Sequence, residues 1–108
     1  MTDLRRVYEE ADRWQILDVR EAWEWDAGHI ERAVHIPLNE VMAGGEQGRL
    51  DPARPVMVTC KTGNRSELAT LMLQARGYDA HNMEGGTEAW VSAGLPIVAS
   101  DGSPGRVA

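Results

Sequence analysis

The chain has 108 residues, 43% apolar and 26% charged, with a formal net charge of −6, values that suit one folded domain and exclude a disordered chain. The acidic balance argues against nucleic acid as the main partner, and no stretch reaches the ~18 consecutive apolar residues of a membrane span. The opening MTDLRRVYEEADRW has no apolar export signal, and a single cysteine cannot form an internal disulfide, so the expected location is cytoplasmic.

The spacing of Leu4, Val7, Tyr8 and Ala11 predicts a helix over 2–11, capped by Thr2. WQILDV (14–19) reads as a buried strand, and REAWEWDAG (20–28) as a helix ended by Gly28. AVHIP (33–37) is a brief strand stopped by proline. Residues 38–55 begin as a helical turn and become a Gly- and Pro-rich connection. VMVTC (56–60) is again continuously apolar. A helix is expected over 66–76, with Leu68, Leu71, Met72 and Ala75 on its inner side, ended by Gly77. DAHNM (79–83) is a weaker strand, and TEAWVSAG (87–94) a helix with Thr87 as N-cap and Gly94 at its end. Residues 1–98 then form a single domain and 99–108 a polar, flexible tail.

Strands that alternate with helices, two of them apolar throughout, predict an α/β fold: a small parallel sheet of four to five strands with helices on both faces. Ligands of such sheets sit at the carboxyl ends of the strands. Cys60 stands at such an end, in VMVTCKTGNRSELATLML (56–73). The loop Cys60-Lys61-Thr62-Gly63-Asn64-Arg65 leads from strand to helix, where inward-turned N–H groups and the helix terminus make an anion site. Gly63 permits a positive φ, and Lys61 and Arg65 add positive charge. A thiol there favours its nucleophilic thiolate form. A lone cysteine is ordinarily a small buried apolar residue, and loop cations are ordinarily solvated. The strand-tip position and the K-T-G-N-R-S that follows favour the nucleophile.

This loop resembles the active-site loop of rhodanese-type sulfurtransferases. ILDVREAWEWDAGHIERAVHIPL (16–38) resembles that family's strand, D-x-R, glutamate, G-H-I and I-P segment, and MEGGTEAWVSAGLPI (83–97) its closing G-G-x-x-A-W segment. The likeness runs from about residue 14 to residue 97. It implies a rhodanese-like domain and sulfur carried as a persulfide on the catalytic Cys60. It also implies a small anionic donor, thiosulfate on the strength of the basic loop, and a thiol or protein sulfur acceptor (cyanide in an assay). No cofactor is implied. The expected substrate-binding residues are Lys61, Thr62, Gly63, Asn64, Arg65 and Ser66. The chain departs from the family by starting at or inside its first helix, without the short strand that usually precedes it. The sheet then has four strands, or LPIVAS fills the edge.

Two rivals follow from the same residues. Cysteine phosphatases, including those built on this fold, carry one residue more between cysteine and arginine than the four found here. The tighter loop suits one sulfur atom better than a phosphate ester or an arsenate, and it offers no acidic proton donor. A partner-binding or sulfur-carrier module with little turnover is the other. With one cysteine, a persulfide cannot be resolved inside the chain. His29, His35 and His81 lack metal-ligand spacing, so no metal site is expected, and His29 is read as ordering its turn. Asp18, Arg20 and Glu24 are read as structural pairing, with Asp18 also a supporting contact for the loop. Gly85 and Gly86 are read as letting a neighbouring loop approach Cys60. Trp14, Trp23, Trp25 and Trp90 are packing residues or a pocket rim.

Overall fold

The computed structural model describes residues 3–108. Its elements are α1 (Leu4–Glu9), β1 (Gln15–Asp18), α2 (Ala22–Ala27), β2 (Val34–His35), α3 (Leu38–Met42), β3 (Val56–Thr59), α4 (Asn64–Ala75), β4 (Ala80–Asn82) and α5 (Gly86–Ser92). All four strands are parallel, in the order β2-β1-β3-β4. The two continuously apolar strands, β1 and β3, lie in the middle, where both faces are covered. The short strands with polar residues, VH and AHN, take the edges.

The pleat sends alternate residues to two cores. Leu17, Val19, Val56 and Val58 pack with Val41, Ala69 and Leu73 of α3 and α4 on one face. Ile16 and Met57 pack with Val7, Trp90 and Leu95 on the other, which α1 and α5 cover. Trp90 is fully buried, and its indole N–H donates to the Pro96 carbonyl at 2.9 Å. Trp14 and Trp25 are half-buried and Trp23 is exposed.

Several local expectations are corrected. Asp3, not Thr2, caps α1, by accepting from the Arg6 N–H at 3.2 Å; Thr2 lies outside the described residues. Helix α4 starts two residues earlier than its apolar pattern suggests, which brings Asn64 and Arg65 into its first turn. Its buried face is Ser66, Ala69, Thr70 and Leu73, whereas Leu68 and Leu71 are 45% and 58% exposed. Apolar residues occur on both sides of this helix, so periodicity chose the wrong one. Small Ser66 and Ala69 let the helix approach the sheet beside Cys60, and the Thr70 hydroxyl donates to the Ser66 carbonyl at 2.7 Å. At α5 the N-cap is Gly85, with a φ of 78°. Thr87 lies inside the helix, its hydroxyl 3.1 Å from that of Thr59.

The sheet has four strands, and LPIVAS does not extend it. Val98 makes only isolated antiparallel bridges to His29 and Pro104. Beyond it, the Ser100 and Arg106 amides donate to the Asp26 and Ala27 carbonyls at 3.1 and 3.0 Å. A Cβ on Gly28 would lie 2.4 Å from the Arg106 carbonyl oxygen, so glycine there permits the approach of 99–108. On β4, the Gln74 side-chain amide donates to the Ala80 carbonyl at 2.9 Å.

A buried ion pair anchors the connection from α3 to β3. Glu46 is fully buried, and Arg76, at the end of α4, donates to its carboxylate at 2.8 Å and to the Val41 and Met42 carbonyls. Removing the cation leaves a buried charge without its partner. Arg76→Ala is expected to cost about 3 kcal/mol of unfolding free energy, measured by urea titration; a loss within error of zero contradicts this role for the pair.

Candidate active site

The site is built by carbonyls that point away from it. As the chain leaves β3, the Cys60 and Lys61 carbonyls turn toward α5, where the Thr87 and Glu88 N–H groups donate to them at 2.8 and 3.1 Å. These are among the amides a helix start leaves without internal partners. Gly86 makes the approach feasible: a Cβ there would lie 2.6 and 2.5 Å from the Cys60 and Lys61 oxygens. Gly85 sits against the loop's turn, its nitrogen 3.2 Å from where a Gly63 Cβ would stand.

With the carbonyls outside, the loop amides turn inward. Gly63, with a φ of 104°, donates its N–H to the Cys60 sulfur at 3.1 Å and serves as the N-cap of α4. The start of α4 therefore faces the sulfur, where a helix favours negative charge. The Ser66 hydroxyl lies 3.4 Å from the same sulfur and hydrogen-bonds to the Asn82 side-chain oxygen. Asn82 in turn donates its amide nitrogen to the Gly63 carbonyl at 3.0 Å. Burial, with Cys60 only 1% exposed, pushes the thiol up. Hydrogen bonds from the Ser66 hydroxyl and from the Ser66, Gly63 and Thr62 amides outweigh it, and the thiol ionises below its ordinary value.

The two cations of the loop behave differently. Arg65 places both terminal nitrogens on the Glu24 carboxylate of α2, at 2.7 and 2.9 Å. Its hydrogen bond holds the Glu24 carboxyl below the usual carboxylate range, and Glu24 raises Arg65 in return. Glu24 is 4% exposed and also accepts the Glu21 N–H at 3.0 Å, closing the capping box of α2. Arg65 is thus a strut between two helices, its guanidinium engaged with Glu24. Lys61 is half-buried and makes no ion pair among the described residues. The side chains of Thr62 and Asn64 are exposed, so these residues serve the sulfur through backbone geometry.

Among the described residues the Asp18 side chain makes its hydrogen bonds to Arg20. Its carboxylate accepts from the Arg20 side chain at 2.7, 3.0 and 3.1 Å, with both residues buried. Arg20 continues to the Gly28 carbonyl at 2.7 Å and so ties the end of β1 to the end of α2. Nearby, Trp25 is stacked between His29 and His35, with ring centroids at 3.6 and 4.8 Å. The His29 Nδ1–H donates to the Trp25 carbonyl at 2.7 Å, which orders the turn after α2. Sequence reasoning passed over Asn82 and Thr87 as site residues. Each is an ordinary polar residue, and only the fold brings it to Cys60. Glu24 was read as structural, and its partner proves to be the loop arginine.

The chain matches the family model described as "Rhodanese-like domain" over residues 3–93. It is 33% identical over 95 residues to the "Probable adenylyltransferase/sulfurtransferase MoeZ" of Mycobacterium tuberculosis, covering 87% of this chain but only 24% of that protein. It is 33% identical over 86 residues to the thiosulfate sulfurtransferase GlpE of Vibrio cholerae, covering 79% of each. Among solved structures, a rhodanese-related protein of Thermoplasma volcanium superposes with a TM-score of 0.81 at 31% identity, over 90% of this chain and 95% of that one. The same constellation of strand-tip cysteine, six-residue loop and G-G turn was expected from the residues alone, and with these matches the chain belongs to the rhodanese-like family.

Proposed function

We propose that the protein is a sulfurtransferase that moves sulfane sulfur from thiosulfate, through a persulfide on Cys60, to a thiol or cyanide. The observation that carries this reading is the set of donors around one sulfur: the Gly63 N–H at 3.1 Å and the Ser66 hydroxyl at 3.4 Å. Relatives that bear the sulfurtransferase name support the reaction class.

In the first half-reaction the Cys60 thiolate attacks the outer sulfur of thiosulfate. The bond between that sulfur and the sulfite sulfur breaks, sulfite leaves with the electron pair, and Cys60 holds a terminal persulfide anion. In the second, the acceptor attacks the outer sulfur and Cys60 departs as thiolate, so the enzyme is unchanged over the cycle. The amides that favour the thiolate also favour the persulfide anion, because both place negative charge on sulfur at the start of α4. Lys61, the loop cation without an ion partner among the described residues, is the group for the donor's anionic oxygens. Arg65 contributes through Glu24, by holding α4 against α2.

A second reading keeps the same persulfide but gives the chain the role of a sulfur carrier for one protein partner. The single cysteine is compatible with this reading as with the first, since in both the loaded sulfur leaves to an external acceptor. A carrier turns over slowly with cyanide and fast with one protein thiol, so comparing acceptors separates the two.

Three predictions follow from this chemistry. Incubation with thiosulfate should add about 32 Da to the intact mass, cyanide should remove it, and Cys60→Ser should remain folded without gaining the mass; no added mass on the native chain overturns the donor. Lys61→Ala should raise KM for thiosulfate about tenfold, the size of one solvent-exposed charge contact to an anion, with kcat little changed; an unaltered KM makes Lys61 a bystander. The rate of Cys60 alkylation should rise with pH to a midpoint below the ~8.5 of a free cysteine, and kcat/KM should climb through the same midpoint and level off as thiolate becomes complete. A midpoint at or above that value would mean that burial outweighs the hydrogen bonds.

A further inference from the structure

The Ser66 hydroxyl carries one proton and has two acceptors within reach, the Asn82 side-chain oxygen and, at 3.4 Å, the Cys60 sulfur. The orientation of Asn82 is not free to change. Its amide nitrogen donates to the Gly63 carbonyl at 3.0 Å, which leaves its oxygen toward Ser66. While Cys60 is a neutral thiol these bonds are compatible: S–H donates to the Ser66 oxygen, and Ser66 donates to Asn82. A thiolate has no proton to offer and needs a donor. Ser66 can serve it only by turning away from Asn82.

We propose that Asn82 is a positioning residue for the nucleophile, which competes with the Cys60 sulfur for the single Ser66 proton. On ionisation the S–H proton passes to a solvent base, the Ser66 hydroxyl rotates, its bond to Asn82 breaks and a bond to the sulfur anion forms. Ionisation thereby costs one hydrogen bond more than it would without Asn82, within a site whose amides still favour the thiolate. This rests on the reading of Cys60 as the sulfur-carrying nucleophile, although the competition itself is a property of the thiol.

The surrounding charges are separately anchored or act equally in every variant. Arg65 neutralises Glu24, and Arg20 neutralises Asp18. Lys61 lies in the loop, Glu84 in the turn after β4 and Glu88 at the start of α5. Glu67 lies one turn into α4, and His81 of β4 pairs with Asp79. Among the described residues the Ser66 side chain hydrogen-bonds only to Cys60 and Asn82. Without the Asn82 amide, the Gly63 carbonyl still accepts the Glu67 N–H at 3.3 Å, so the turn keeps an anchor.

The test is a double-mutant cycle read by iodoacetamide alkylation of Cys60 against pH, in the native chain, Asn82→Leu, Ser66→Ala and the pair, each confirmed folded by circular dichroism. Asn82→Leu should lower the midpoint by about one pH unit, the scale of one hydrogen bond to a charged group. Ser66→Ala should raise it, and the pair should match Ser66→Ala alone, because Asn82 acts through the Ser66 proton. A midpoint that Asn82→Leu leaves in place or raises, or that it lowers equally without Ser66, overturns the proposal. Asn82→Ala, read in the same way, replaces Asn82→Leu if the larger side chain prevents folding. Loss of the thiosulfate-dependent mass would refute the donor assignment and leave these midpoints untouched, so the two failures are distinguishable.

Discussion

Everything at the site depends on where two carbonyls go. The Cys60 and Lys61 oxygens are held by the first amides of α5, at 2.8 and 3.1 Å. A peptide unit that points its oxygen one way points its hydrogen the other. Binding the Lys61 carbonyl outside the loop is therefore what turns the Thr62 amide toward the sulfur, and the Gly63 amide, in the next peptide unit, follows it at the left-handed turn. Gly86 has no side chain because one would occupy the space of those oxygens. The G-G turn is a requirement of backbone contact with a loop about 25 residues away in the chain.

Electrostatic preference is assembled from small parts. The chain is acidic overall, and the two arginines that reach this end of the sheet are each committed to a carboxylate: Arg20 to Asp18 and Arg65 to Glu24. These pairs cross between β1, α2 and α4 and fix where the loop stands. The stabilisation of sulfur anion then falls to backbone amides, whose dipoles the fold fixes, and to the Ser66 hydroxyl. Desolvation works against them, since a sulfur that is 1% exposed loses water as a partner. Under the sulfur transfer proposed above, the same arrangement serves a thiolate and a persulfide anion, which is the chemical reason for preferring it over phosphoester chemistry at a loop this tight.

Much of the organisation is visible in the residues. Predominantly apolar runs at 14–19 and 56–60 marked the two central strands, because a strand buried on both faces has little polar side to alternate. The lone cysteine at the end of one of them, with glycine three residues on and serine six on, marked the loop. Helix α4 was harder. Leu68 and Leu71 carry a hydrophobic signal yet face outward, while Ser66, Ala69 and Thr70 face the core. Close packing beside Cys60 asked for small side chains, and hydropathy does not record that demand.

The order of residues by itself determined the parallel α/β class, the family and the place of the lone cysteine at a strand end. These follow from the strand and helix periods and from local loop chemistry, both of which lie within short spans of chain. Tertiary structure alone decided that Arg65 binds Glu24 and that Asn82 meets Ser66 and Gly63. Those partners lie on different elements, up to 41 residues apart, and which of several carboxylates or amides a side chain meets is set by how the helices pack on the sheet. Local periodicity carries no information about such encounters, because the polar residues involved look the same in any soluble chain.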